Sequence, residues 1–198
     1  MARTIAKDHD QKRSHILDTA AKLFATEGYD RVSMVKLAEA CGISKANIYH
    51  YYGSKEAILF DALETYLVGL RDRICALELS ELAPEEALYH VVREILLAYE
   101  GSDEIHRVQT NNLSSLSIEQ QGLLKSVQRD LVAFVNDVVE RNGQNVLVHD
   151  QVKLRGITMS IFGMLNTYYL WQQGASRKDR EGYALLVTDL VLRGIRGL

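Results

Sequence analysis

Residues 33–55, SMVKLAEACGISKANIYHYYGSK, read as two short helices joined by a tight turn and followed by the start of a third. Ser33, Ser44 and Ser54 each precede a helical stretch, and each can accept a hydrogen bond from a backbone N–H that the first turn leaves unpaired. Between the first two caps, Val35, Leu37, Ala38 and Cys41 give the helix one apolar side. Gly42 supplies permissive backbone where it stops, and Ile43 returns to the core. The turn is then about three or four residues long, as in a helix-turn-helix. In the second helix Ile48 and Tyr52 face inward, which leaves Lys45, Ala46, Asn47, Tyr49, His50 and Tyr51 on the remaining surface.

That surface suits a DNA major groove, which is about 12 Å wide and admits one helix. Lys45 can meet a phosphate or a guanine edge, Asn47 can bond an adenine bidentately, and Ala46 and the Tyr49 ring can pack on thymine methyls. Contacts that set register fall to Ser33 and Ser44 at helix N-termini, to His50 or Tyr51, and to Lys55 at the next helix start. The competing reading of the same spacing is a small helical subdomain with a solvated face.

The longer run AAKLFATEGYDRVSMVKLAEACGISKANIYHYYGSKEAILFDAL resembles the N-terminal domain of the TetR family of bacterial transcriptional regulators, and the resemblance extends over residues 15 to 63. Phe24, Gly28 and Tyr29 fit the family's F-x-x-x-G-Y/F signature. Gly42-Ile43-Ser44 and Ile48-Tyr49-His50-Tyr51-Tyr52 fit its turn and recognition helix. Ser33 stands where Thr is commoner, Cys41 where a small apolar residue is usual, and Tyr52 where Phe is common.

The rest of the chain agrees. Of its 198 residues 47% are hydrophobic and 25% charged, ordinary for a globular protein. A single proline and few alternating segments predict an all-α fold. The net charge of −3 is unevenly spread: residues 1–55 hold nine Lys/Arg against six Asp/Glu, and residues 56–198 hold 14 against 20. The basic end therefore coincides with the motif, and Arg3, Lys7, Lys12 and Arg13 read as an arm along phosphates or as a frayed terminus. No signal peptide or membrane-spanning stretch is visible and two cysteines make no disulfide framework, so a cytoplasmic protein is expected. Cys41 reads as a small core residue.

Periodicity and caps predict about nine helices. The first runs from about Asp10 to Glu27, the fourth from Ser54 to near Glu78, and the fifth from Pro84 to near Gly101. Residues 103–115 carry only a weak pattern. A helix opened by a Ser117–Gln120 capping box closes at Gly143, residues 146–150 form a loop, a long helix fills about 151–173, and a Ser176–Asp179 capping box opens the last. Functionally the chain divides into a helix-turn-helix DNA-binding domain, residues 1–55, and a larger helical domain for ligand binding and dimerisation, residues 56–198. The last two helices offer more apolar surface than a small core needs, which suits a homodimer. The resemblance implies the same, with two recognition helices about 34 Å apart on a palindromic operator.

A ligand pocket resembles a core in sequence, so polar residues in apolar helical segments are the candidates: Tyr66, His90, Arg93, His106, Gln109, Asn112, Asn166, Tyr169 and Trp171. The stretch IFGMLNTYYLWQQGASRKDREGYALLVTDLVLRGI is similar to the C-terminal end of TetR-family regulators of fatty-acid, sterol and aromatic-acid catabolism. That likeness implies an acyl-CoA thioester as inducer of a repressor, with Arg93 and Arg107 as partners for its phosphates. A drug-responsive regulator of an efflux pump shares the same DNA-binding domain and stays open as an alternative. An enzyme on this scaffold is the remote one: the chain has no H-E-x-x-H, no G-x-S-x-G, no phosphate-binding glycine loop and no metal-ligand spacing among its six histidines. No catalytic residue, metal or cofactor is expected.

Overall fold

The computed structural model describes residues 2–143 and 150–197, and among these the only regular structure is helical. In chain order the helices are α1 (Ala2–Glu27), α2 (Met34–Ala40), α3 (Lys45–Tyr51), α4 (Lys55–Cys75), α5 (Pro84–Ala98), α6 (Asp103–Asn112), α7 (Ile118–Asn142), α8 (Gln151–Asn166), the single turn α9 (Tyr168–Trp171) and α10 (Arg177–Arg196). Nine of the described helices are thus longer than one turn, the number read from the sequence.

The chain forms two compact units. One comprises residues 1–67 and 103–125, the other residues 68–102 and 126–198, so that α4 and α7 each contribute to both. Compactness divides the chain elsewhere than the functional division expected at residue 55, because α6 packs on α1. The first unit is built on Ile16, Leu17, Ala20 and Phe24 of α1, Leu37 of α2, Ile48 of α3 and Ile58, Leu59 and Leu63 of α4, all buried. In the second, α5 and α10 pack together, and α5 buries Leu88, Val91, Val92, Ile95 and Leu96. Arg93 of α5 forks onto Glu181 of α10, and Arg180 donates to the Leu96 carbonyl at 3.2 Å near the end of α5.

The boundaries marked by polar caps fall where the sequence places them. Ser117 and Gln120 bond each other's backbone N–H at 3.2 and 3.1 Å, and Ser176 and Asp179 form a complete capping box. Other boundaries differ. α1 begins at Ala2, eight residues before the expected start, so the segment read as an arm along phosphates or a frayed terminus is helical. α4 stops at Cys75 and α5 at Ala98, each about three residues early. Gly101, with φ +71°, then turns the chain into α6, a ten-residue helix where the sequence pattern was weak. The helix expected over 151–173 ends at Asn166, and Tyr168–Trp171 forms a separate single turn. The loop expected at 146–150 falls, but for Asp150, outside the described residues; Asp150 itself caps α8 by accepting from the Lys153 N–H at 3.0 Å.

Candidate nucleic-acid interface

Two seven-residue helices are too short to hold themselves in water, so α2 and α3 depend on their ends and on the core they touch. Ser33 caps α2 and Ser44 caps α3, each Oγ accepting from the third residue's N–H at 3.2 Å; Ser54 does the same for α4 at 3.1 Å. α2 ends in a Schellman motif: the Ile43 N–H donates to the Ala38 carbonyl and the Gly42 N–H to the Glu39 carbonyl, both at 3.0 Å. Gly42 sits at φ +66°, the left-handed conformation that this motif requires. The turn is therefore fixed by backbone hydrogen bonds and one glycine.

Leu37, Ala38 and Cys41 face the core as read, but Val35 is exposed. It lies two residues from Leu37, about 200° around the helix, and so points away from the buried side. The Cys41 thiol is pushed up by burial, which suits a core residue. In α3 only Ile48 is buried. Ser44, Lys45, Ala46, Tyr49 and His50 are exposed, and Asn47 and Tyr51 are half-buried. The outward set thus presents one amine, one amide, one phenol, one imidazole and a small apolar face along two turns.

Contacts around Lys55, Tyr51 and Tyr52 place the ends of this surface, and none was singled out from the sequence. Lys55 Nζ donates to the Tyr29 carbonyl at 2.7 Å and lies 4.2 Å above the centre of that ring, which leaves two of its three ammonium protons for another acceptor. His9 of α1 stacks on Tyr51 with ring centres 4.9 Å apart, and His50 meets Tyr51 edge-on at 5.7 Å. The Tyr52 hydroxyl donates to Asp61 Oδ2 at 2.5 Å, and Arg13 grips the same carboxylate through Nε, at 2.9 Å, and Nη2. Arg13, read as a phosphate-binding arm residue, is therefore held by Asp61. Tyr52 is pushed well above the ordinary phenol range by burial first and by Asp61 second, so it stays a donor.

The residues proposed for an effector are divided between the two compact units. Tyr66, His106, Gln109 and Asn112 lie in the first compact unit, and His90, Arg93, Asn166, Tyr169 and Trp171 in the second. The Tyr66 hydroxyl and His106 Nε2 are 2.7 Å apart. Gln109 Oε1 is buried with no hydrogen-bond partner, and Asn112 begins a 3-10 turn without capping it. His90 packs its ring edge-on against its neighbour Tyr89. Arg93 meets Glu94 and Glu181, both at 2.6 Å, so its guanidinium already faces two carboxylates. Asn166 accepts from the buried Tyr99 hydroxyl at 2.7 Å, Tyr169 is half-buried, and Trp171 is exposed with its ring edge on Tyr168 and Tyr183. Arg107 is exposed.

In the second unit, α8 and α10 flank an open, mostly apolar groove of about 420 Å³ whose lining includes Lys153, Ile157, Met164, Leu190 and Val191. Leu185, Leu186 and Leu190 of α10 are each more than half exposed beside it. No helix among the described residues is long and apolar enough to cross a membrane.

Comparison with known proteins matches this geometry to one family. Residues 16–62 match the model of bacterial regulatory proteins of the tetR family, and residues 81–195 match the tetracyclin repressor-like C-terminal domain. A TetR-family transcriptional regulator from Bordetella parapertussis is 31% identical and superposes with a TM-score of 0.83 over 94% of this chain and 96% of that one. The HTH-type transcriptional repressor NicS of Pseudomonas putida is 24% identical over 96% of this chain and 95% of its own length. The fold is shared also with AibR, whose structure holds isovaleryl coenzyme A and operator DNA; it is 23% identical, with a TM-score of 0.74 over 90% of this chain and 97% of that one. The capped α2–turn–α3 pair and the helices C-terminal to it belong to a transcriptional regulator: this chain is a member of the TetR family.

Proposed function

We propose that this TetR-family regulator is a cytoplasmic homodimeric repressor that occupies a palindromic operator and leaves it when an acyl-CoA thioester binds residues 56–198. The observation that carries the DNA-binding part is α3 itself, buried through Ile48 alone and presenting Lys45, Ala46, Asn47, Tyr49 and His50 outward. In a major groove these groups offer a cation for guanine or phosphate, an amide for adenine, and apolar faces for thymine. The caps Ser33 and Ser44, the half-buried Tyr51 and Lys55 would donate to phosphates that set register. Two such helices need a partner copy to lie about 34 Å apart, and the exposed leucines of α10 are the surface that supports one.

The inducer class rests on AibR, a fold relative with an acyl-CoA bound, and on the C-terminal motif. Of the two arginines proposed for phosphates, Arg107 is the exposed one, whereas Arg93 faces carboxylates. Binding shifts α4, which begins beside the recognition helix and ends in the other compact unit; inducer affinity for the DNA-bound and free forms must differ for this to act. The test is fluorescence anisotropy on a duplex selected by the protein from a random pool. Lys45→Ala should lower affinity and reduce the salt slope by about one charge, and Tyr49→Ala should lower affinity with the slope kept. Isovaleryl-CoA or a longer acyl-CoA should release the duplex. Release by cationic drugs and not by acyl-CoAs would move the protein to the efflux class.

A further inference from the structure

We propose that Tyr52, Asp61 and Arg13 form the joint that fixes the recognition helix on α1 and α4, which makes Tyr52 a positioning residue for base readout; this rests on the DNA-binding reading above. α3 has only Ile48 as an internal anchor, so its direction is set by that buried side chain and by the residue that ends the helix. The C-cap is Tyr52, its ring buried at 8% exposure. A phenylalanine would fill that space equally. The hydroxyl adds a directional bond of 2.5 Å to Asp61 Oδ2, in the second turn of α4.

Asp61 is an unusually fixed acceptor for that bond. Arg13 Nε donates to the same oxygen at 2.9 Å, Arg13 Nη2 meets the other oxygen, and Nη2 also donates to Thr65 Oγ1 at 3.1 Å. A bidentate guanidinium–carboxylate pair has one preferred plane. The carboxylate is thereby oriented by α1 before Tyr52 reaches it, and three elements meet at one group. Base-edge hydrogen bonds tolerate little misplacement, whereas phosphate contacts from flexible side chains tolerate more. The joint should therefore govern specificity rather than general attraction to DNA.

Tyr52→Phe tests this cleanly, because Asp61 keeps Arg13 and no buried acceptor is orphaned. The wild-type protein first selects its duplex from a random pool, and dissociation constants are then measured at one salt concentration for that duplex and for a scrambled one. We expect Tyr52→Phe to bind the selected duplex about five- to tenfold more weakly, with scrambled binding, salt slope and helical circular dichroism all unchanged. Asp61→Asn should lose the same discrimination, and the double variant should lose less than the two single losses combined. An unchanged ratio of selected to scrambled affinity in both single variants overturns the proposal, as does an equal loss on both duplexes. If the wild-type protein selects no duplex at all, the DNA-binding reading fails and this proposal falls with it.

Discussion

Tyr99 shows at the level of one residue how placement sets chemistry. Its hydroxyl is carried into the interior at the end of α5, where it donates to Asn166 Oδ1, and burial pushes its pKa far above that of a free phenol. The unfolded chain releases this proton near pH 10 while the folded chain keeps it. Above that pH the unfolded state binds fewer protons, so stability falls as pH rises and is complete below about pH 10. Urea titrations between pH 9 and 11.5 should show Tyr99→Phe losing stability less steeply than wild type, by up to about 1.4 kcal/mol per pH unit. Equal slopes would place the proton elsewhere. Neither this pair nor the Tyr52–Asp61–Arg13 joint was legible in sequence, since their partners lie 67, 9 and 48 positions apart and no local pattern joins them. Lys45, Ala46 and Tyr49 were legible, because Ile48 alone fixes which way a seven-residue helix faces.

Among the elements, the turn between α2 and α3 is held by its glycine. Gly42 has φ +66°, and a Cβ there would meet nothing within 4 Å, so the cost of alanine is one of backbone conformation alone. Gly42→Ala should destabilise by about 1–2 kcal/mol. Gly122, in α7, likewise has open space around it but ordinary helical backbone, and Gly122→Ala should stabilise by up to about 1 kcal/mol. Opposite signs in thermal unfolding are the expected result, and like signs would contradict the assignment of the turn. The same distinction explains which boundaries the sequence disclosed. Helix starts capped by Ser33, Ser44, Ser117 and Ser176 rest on local hydrogen bonds that a residue type announces. The residue before Ala2 is a methionine, a type that announces no helix start, and the end of α8 at Asn166 has no mark in sequence, since threonines bond backward inside α8 and α10 as well as at Thr167.

For the whole molecule the decisive question is what covers α8 and α10. Leu186 and Leu190 lie one turn apart on α10 and are 53% and 55% exposed, whereas Val187 and Val191 beside them are buried. The helix therefore has two apolar sides, one used within the subunit and one unused. Burying a leucine side chain contributes about 1.5–3 kcal/mol, and in a two-fold interface each is buried twice. A carboxylate at the same place would instead have to be desolvated in the interface. Leu186→Glu/Leu190→Glu should therefore yield a folded monomer by light scattering at micromolar concentration, with helical content retained. Its affinity for the palindrome should drop by at least about 100-fold, because a monomer engages one half-site and loses the second as an intramolecular event. A variant that stays dimeric and binds as before would show that another surface joins the subunits, and the groove between α8 and α10 would then need a different occupant.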